Sequence, residues 1–198
     1  MRAFVYKVKR DYGFAPNPFG GFCTLATCKP GVRKSAAVGD LIFGIGVANR
    51  LPDHLIFAMR VNEKMGFDDY WKDTRFLNKK PDFFGSLKHA VGDNIYHREG
   101  NSWVQEDSHH SLESGVLNQA NLRRDTSADH VLVSSDYIYF GGNPYLIPWK
   151  LRHIFKPGRN YKCNFGGGDL ESLEKLFKSF TSRGLQGFPA DFAKVYRY

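Results

Sequence analysis

The chain reads as an α+β fold: a mixed or mostly antiparallel sheet, or a partly open barrel, with an amphipathic helix near the C-terminus packed on it. Three observations predict this. Short runs with a two-residue apolar period recur through the first 140 residues or so. Gly, Pro, Asn and Asp punctuate the segments between them. One stretch near the C-terminus instead has its apolar residues at helical spacing.

Residues 2–9 (RAFVYKVK) predict the first strand, with Phe4, Tyr6 and Val8 on one face. Residues 11–21 (DYGFAPNPFGG) predict a loop, because two prolines, three glycines and Asn17 oppose regular structure. A short strand over 22–27 follows. Pro30 opens a helical turn extending to Ala37, since proline at the first helical position lacks only an N–H that would be unpaired there. VGDLIFGIGVA predicts a turn at Gly39-Asp40 and a strand ending at Ala48. NRLPDH predicts a polar turn, and 55–61 the next strand. Residues 67–76 (FDDYWKDTRF) predict a short helix. From Leu77 to about Asn121 the chain is polar and weakly periodic, too long for an idle connection, and its aromatics and histidines mark it as functional. Residues 130–140 (HVLVSSDYIYF) predict one continuous strand, ended by Gly141-Gly142-Asn143-Pro144.

The helix is expected over 170–183, N-capped by Asp169, with Leu170, Leu173, Leu176, Phe177 and Phe180 on one face and Gly184 ending it. Over the first 65 residues or so, the order strand, Gly-Asp turn, strand, polar turn, strand resembles the small barrels of the PUA, EVE and ASCH group, which bind nucleic-acid bases. No repeat or composition shift divides the chain, so residues 1–198 are read as a single nucleic-acid-processing domain.

Lys and Arg total 28 against 20 Asp and Glu, a formal charge of +8, which favours polyanionic partners. No apolar run approaches the roughly 20 residues of a membrane span, so no membrane partner is expected. The opening MRAFVYKVKRDYGF lacks the apolar stretch of a secretory signal, so a cytoplasmic location is expected. Three scattered cysteines, Cys23, Cys28 and Cys163, argue against a disulfide framework and read as small buried thiols. No Rossmann or P-loop fingerprint is present, and no cofactor is expected.

Three segments concentrate reactive or base-reading side chains. The loop offers Asp11, Tyr12, Phe14, Asn17 and Phe19; an Asn amide reads a base edge while rings stack on its face. GDNIYHR carries Asp93, Asn94, Tyr96 and His97, and QEDSHHS carries Asp107, His109 and His110. A hairpin through EGNSW would set these two side by side. Asp93 or Asp107 would then stabilise a sugar cation and position water, and His97 or His109 would assist departure of a base. Asp11, Tyr12, Phe14, Asn17, Phe19, Asn94, Tyr96 and His110 would bind the base. A metal held by His97, Asp107, His109 and His110 is the weaker reading, because the spacing fits no metal motif. Lys29, Arg33, Lys150, Arg152, Lys156 and Arg159 are the candidate phosphate contacts.

DYGFAPNPFGGFCTLATCKPGVRKSAAVGD, together with GDNIYHR, DSHH and VLVSSDYIYFGG, resembles the nucleotide-modification-associated domain family, second type. The resemblance runs from the first strand to about Pro148. Its matching residues include Asp11, Phe14, Asn17, Phe19, Cys23, Lys29, Asp93, Asn94, Tyr96, His97, Asp107, His109 and His110. The family is associated with phage DNA-base modification and antiphage defence, so the resemblance implies action on a modified nucleotide. The expectation that follows is a DNA glycosylase. It would flip a hypermodified base of phage DNA, such as glycosylated hydroxymethylcytosine, into an aromatic pocket and cleave its N-glycosidic bond. A non-catalytic reader of modified nucleotides is the alternative, and a metal-dependent nuclease a third.

Overall fold

The computed structural model describes residues 1–47 and 50–195. In chain order the elements are β1 (Ala3–Lys7), β2 (Cys23–Leu25), α1 (Pro30–Ser35), β3 (Leu41–Val47), β4 (Arg50–Arg60), β5 (Glu63–Met65), α2 (Phe67–Lys72), α3 (Leu87–Ala90), β6 (Tyr96–Glu99), β7 (Ser102–Gln105), α4 (Gln119–Thr126), β8 (Val131–Ser134), β9 (Asp136–Tyr139), β10 (Tyr145–Leu146), β11 (Tyr161–Lys162), α5 (Asp169–Ser179) and β12 (Gly184–Leu185).

The fold is α+β with a mixed, mostly antiparallel main sheet in the order β11-β1-β3-β4-β9-β12, to which β10 adds beside β4. β1 runs parallel to β3 and β12 parallel to β9; the other pairs are antiparallel. A second sheet, β2-β8-β5, is antiparallel, and β6 and β7 form a separate hairpin. Each of these sheets is open, so of the two expected forms, a sheet or a partly open barrel, the described residues form the sheet.

Both faces of the main sheet are covered, which is why β1 alternates two apolar sets. Phe4 and Tyr6 join Ile42, Phe57 and Tyr139 against Cys23, Leu25 and Leu132 of the second sheet. Ala3 and Val5 join Phe43, Ala58 and Ile138 against Leu173, Leu176 and Phe177 of α5. Burying each of those three helix side chains contributes about 1.5–3 kcal/mol, enough to hold α5 on the sheet.

The structure departs from expectation in four places. The run 130–140 is two strands in different sheets. Asn62 Oδ1 accepts from the backbone N–H groups of Ser135 (2.8 Å) and Asp136 (3.1 Å), and the chain crosses from β8 to β9 there. The expected polar turn begins on Asn49, which with Ala48 lies outside the described residues, but 50–54 belong to β4. Leu51 and Asp53 adopt positive φ, and a Cβ on Gly46 would sit 2.2 Å from the Leu51 carbonyl oxygen, so only glycine fits that approach. The weakly periodic stretch 77–121 contains α3, the β6–β7 hairpin and the start of α4. Finally, Gly168 is the N-cap of α5, which ends at Ser179; Gly184, at φ 81°, opens β12 instead of ending the helix. Among the described residues, no helix is long and apolar enough to cross a membrane.

Candidate active site

A cavity of about 910 Å³ opens beside the end of β1, bounded by the 12–15 loop, the turn before α1, the His109-His110 pair, α4 and the approach to β11. Its lining includes the cations Lys7, Lys9, Arg10, Lys29, Arg124 and Arg159 and the rings of Tyr6, Tyr12, Phe14 and Tyr161. Lys29 Nζ lies 4.7 Å from the centre of the Tyr6 ring and donates to the Lys7 carbonyl at 3.2 Å. Burial lowers its pKa.

The turn between β2 and α1 is strained. Cys28 and Lys29 are both in the left-handed region, at φ 56° and 42°, a conformation that non-glycine residues keep only where the surroundings enforce it. Here Arg33 Nε donates to the Cys28 carbonyl at 2.8 Å, and the Cys28 N–H donates to Asp125 Oδ1 at 3.0 Å. The turn presents Cys28 to the cavity.

Across from it, His110 Nε2 is 3.6 Å from Cys28 Sγ, and His110 Nδ1 is 2.9 Å from Asp125 Oδ2. This second contact is at ion-pair distance but off the in-line direction of a hydrogen bond. Asp125 is fully buried; its carboxylate also accepts from Tyr96 Oη (3.0 Å) and Arg124 Nε (3.0 Å). Desolvation opposes both charges, but the partners prevail. His110 is pushed up to about 9 by Asp125 and Cys28, and His110 and Arg124 hold Asp125 below the usual carboxylate range.

Cys28, His110 and Asp125 form the one group among the described residues close enough to share a metal ion. Their arrangement also suits proton transfer. The thiol and the carboxylate approach opposite nitrogens of one imidazole. A thiol and a carboxylate on either side of one imidazole are the parts of an activated nucleophile.

His109 packs against Tyr12 (ring centres 4.5 Å apart) and Phe14 (5.4 Å), and Phe14 also meets His110 (4.6 Å). Desolvation by these rings, then the charges of His110 and Arg10, lower the His109 pKa, so the ring is neutral near pH 7.

Of the residues expected to form one site, the structure brings Tyr12, Phe14, Lys29, His109, His110 and Arg159 to this cavity. The others lie elsewhere. Asp93 is fully buried, accepting from Thr24 Oγ1 (2.7 Å) and Tyr70 Oη (2.8 Å). His97 stacks on Trp71 at 4.2 Å and pairs with Glu106 at 2.7 Å. Asp107 is exposed outside the cavity. The hairpin does form, but β6 and β7 do not carry these groups to the cavity.

Asp11 accepts from Tyr139 Oη and the Ala190 N–H (3.0 Å). Asn17 donates to the Val91 carbonyl and Asn94 to the Tyr70 carbonyl, both in the interior. Phe19 packs on Phe192, and Tyr96 supports Asp125 from behind. Arg33 is buried and spends its guanidinium on backbone carbonyls. Lys150, Arg152 and Lys156 lie away from the cavity, with Arg152 paired to Asp53 at 3.2 Å.

Cys28, which the sequence presents as a small buried thiol, and Asp125 lie outside the expected site residues. The available signal was a cysteine just before a proline-opened helical turn, in a chain that also carries a His pair.

The His110–Asp125 pair makes stability pH-dependent. The folded-state pKa of His110 lies above its ordinary 6.5, so its contribution is complete below 6.5 and is lost as pH rises through about 9. Urea unfolding of the native chain should therefore lose a few kcal/mol across that interval, and His110→Gln should flatten the slope. Equal slopes in the two proteins would remove the ion pair from the folded state.

The family model for nucleotide modification associated domain 2 matches residues 1–195. No curated protein matches the chain, and no solved structure does.

Proposed function

Because the chain belongs to the nucleotide modification associated domain 2 family, we propose that it is a single nucleic-acid-processing domain, residues 1–198, that takes a nucleotide of modified, phage-derived DNA into the cavity beside Cys28 and acts on it as an enzyme. The observation that carries this reading is the cavity's division of labour. The cations in its lining suit phosphate, the rings beside them suit a base, and the volume falls within the roughly 300–1,000 Å³ of small-ligand pockets. A base reaches such a pocket by leaving the stack.

Base excision assisted by Asp93 or Asp107 is not the chemistry this geometry favours, since neither carboxylate faces the cavity. A pure reader would need the rings and cations but not a thiol and a carboxylate flanking one imidazole, and that array favours an enzyme.

Binding to oligonucleotides with and without a hypermodified pyrimidine tests the reading. Affinity should be higher for the modified strand and fall steeply between about 50 and 200 mM salt. Tyr12→Ala should lose about 1–3 kcal/mol of binding through lost stacking. Salt-insensitive binding, indifferent to Tyr12, would overturn the assignment. Release of free base with alkali-labile sites would instead restore excision.

A further inference from the structure

The chemical class of the reaction follows from which group can bond to a substrate in this cavity. Asp125 is fully buried behind His110 and cannot touch a ligand. Cys28 is half-buried and lines the cavity, with the His110 imidazole 3.6 Å from its Sγ. A sulfur nucleophile turns over only where its adduct can be broken again. Attack on a saturated carbon ends in a stable thioether. Addition to a pyrimidine ring needs a second substrate to react at the neighbouring carbon. Attack on an acyl carbon gives a thioester, which water cleaves with the same imidazole serving both half-reactions.

Resting on the reading of this cavity as a nucleotide site, we propose that Cys28 is the nucleophile of an acyl-nucleotide hydrolase that removes an amide- or ester-linked substituent from a modified nucleotide, with His110 as acid and base and Asp125 as its positioning residue. Sγ, its proton already held by the His110 imidazolium beside it, bonds to the carbonyl carbon. The adduct collapses, breaking the bond from carbon to the nucleotide nitrogen or oxygen, and His110 gives that atom the proton. Water then attacks the thioester and delivers a proton to His110. The carbon–sulfur bond breaks, the sulfur leaves paired with the reprotonated His110 as it began, and a carboxylic acid departs. The net change is addition of one water, with no oxidant or reductant.

The test uses the full chain with two probes, p-nitrophenyl acetate and an N-acetylated deoxycytidine monophosphate. The expected result is a burst of about one nitrophenolate per chain, an acetyl adduct mapped to Cys28 by intact mass and digestion, and release of acetate from the nucleotide probe. Cys28→Ala should abolish the adduct. His110→Gln should slow acylation by about 10²–10⁴-fold without loss of folded structure by circular dichroism. Cys163→Ser, outside the lining of this cavity, should leave both readouts unchanged. A protein that binds deoxycytidine monophosphate but forms no adduct with either probe would refute the inference and leave the nucleotide site standing. An adduct on Cys28 that the free nucleotide does not suppress would remove the nucleotide site and the acyl-nucleotide assignment with it. Stoichiometric zinc retained on Cys28 and blocking its alkylation by iodoacetamide would refute the nucleophile directly.

Discussion

Arg33→Met is expected to lower the unfolding free energy by about 3–5 kcal/mol, a large share of the roughly 5–15 kcal/mol that holds a domain together. Arg33 sits in α1 with no solvent exposure. Its guanidinium donates to four carbonyls: Cys28 (2.8 Å), Ala128 (2.7 Å), His130 (2.7 Å) and Asp125 (2.5 Å). Desolvation lowers its pKa to about 10, with Asp125 opposing, so it remains charged at neutral pH.

A methionine of similar length would fill the space and leave four acceptors unpaired in a dry interior, each costing about 1–3 kcal/mol before relaxation. Arg33→Lys should recover only part of the loss, because a single ammonium cannot span carbonyls spread as a planar fork spans them. The check is chemical or thermal unfolding, where the loss should appear as a fall in Tm of roughly 10 °C. Had Arg33 been a phosphate contact, the same substitution would leave stability within about 0.5 kcal/mol and reduce the salt slope of DNA binding by about one. The Cys28 carbonyl is one of the four acceptors, so the substitution should also relax the left-handed turn that presents Sγ to the cavity.

Arg33 shows where sequence reading stops. A guanidinium in a polar stretch reads as solvated, and its burial is decided by carbonyls more than 90 positions away that no local pattern reveals. The thiol–imidazole contact spans 82 positions, and the Cys28–Asp125 contact spans 97. Asp125 lies in a helix beside Arg123 and Arg124, where its charge looks like part of an exposed face. The split of 130–140 into two strands depends on Asn62, also more than 70 positions away. What the sequence did expose was locally determined. The apolar period of β1, the proline at the start of α1 and the apolar face of α5 each act within a few residues. The gathering of Tyr12, Phe14, His109 and His110 in one cavity was legible by a different route: rings and histidines in otherwise polar loops have little reason to be there except a shared surface or ligand.

Asp93→Asn is expected to cost about 3–5 kcal/mol of stability, although Asp93 was read as a catalytic carboxylate. It is fully buried and shares the interior with Lys79, which is 2% exposed. The Lys79 ammonium donates to Asn17 Oδ1 (2.8 Å) and to the carbonyls of Asn17 (3.1 Å) and Phe22 (3.0 Å). Desolvation pushes the Lys79 pKa down to about 8 and raises that of Asp93; the attraction between the two opposes both shifts. An amide at position 93 removes the negative charge and leaves the buried ammonium without it.

The Lys79→Met, Asp93→Asn double variant should then be more stable than Asp93→Asn alone. The two effects should couple by about 1–3 kcal/mol in a double-mutant cycle, since removing both charges removes both desolvation costs. The pH dependence supplies a further sign. The folded state holds fewer protons than the unfolded state between about 8 and 10.5 at Lys79, so this group's contribution to stability rises with pH across that interval. As the ammonium loses its proton, the attraction to Asp93 disappears, and the cost of Asp93→Asn should shrink from pH 7 to above 8. A catalytic carboxylate predicts the reverse pattern: unchanged unfolding at every pH and lost turnover. Measuring unfolding and turnover on the same variant therefore decides whether this carboxylate holds the fold or performs the chemistry.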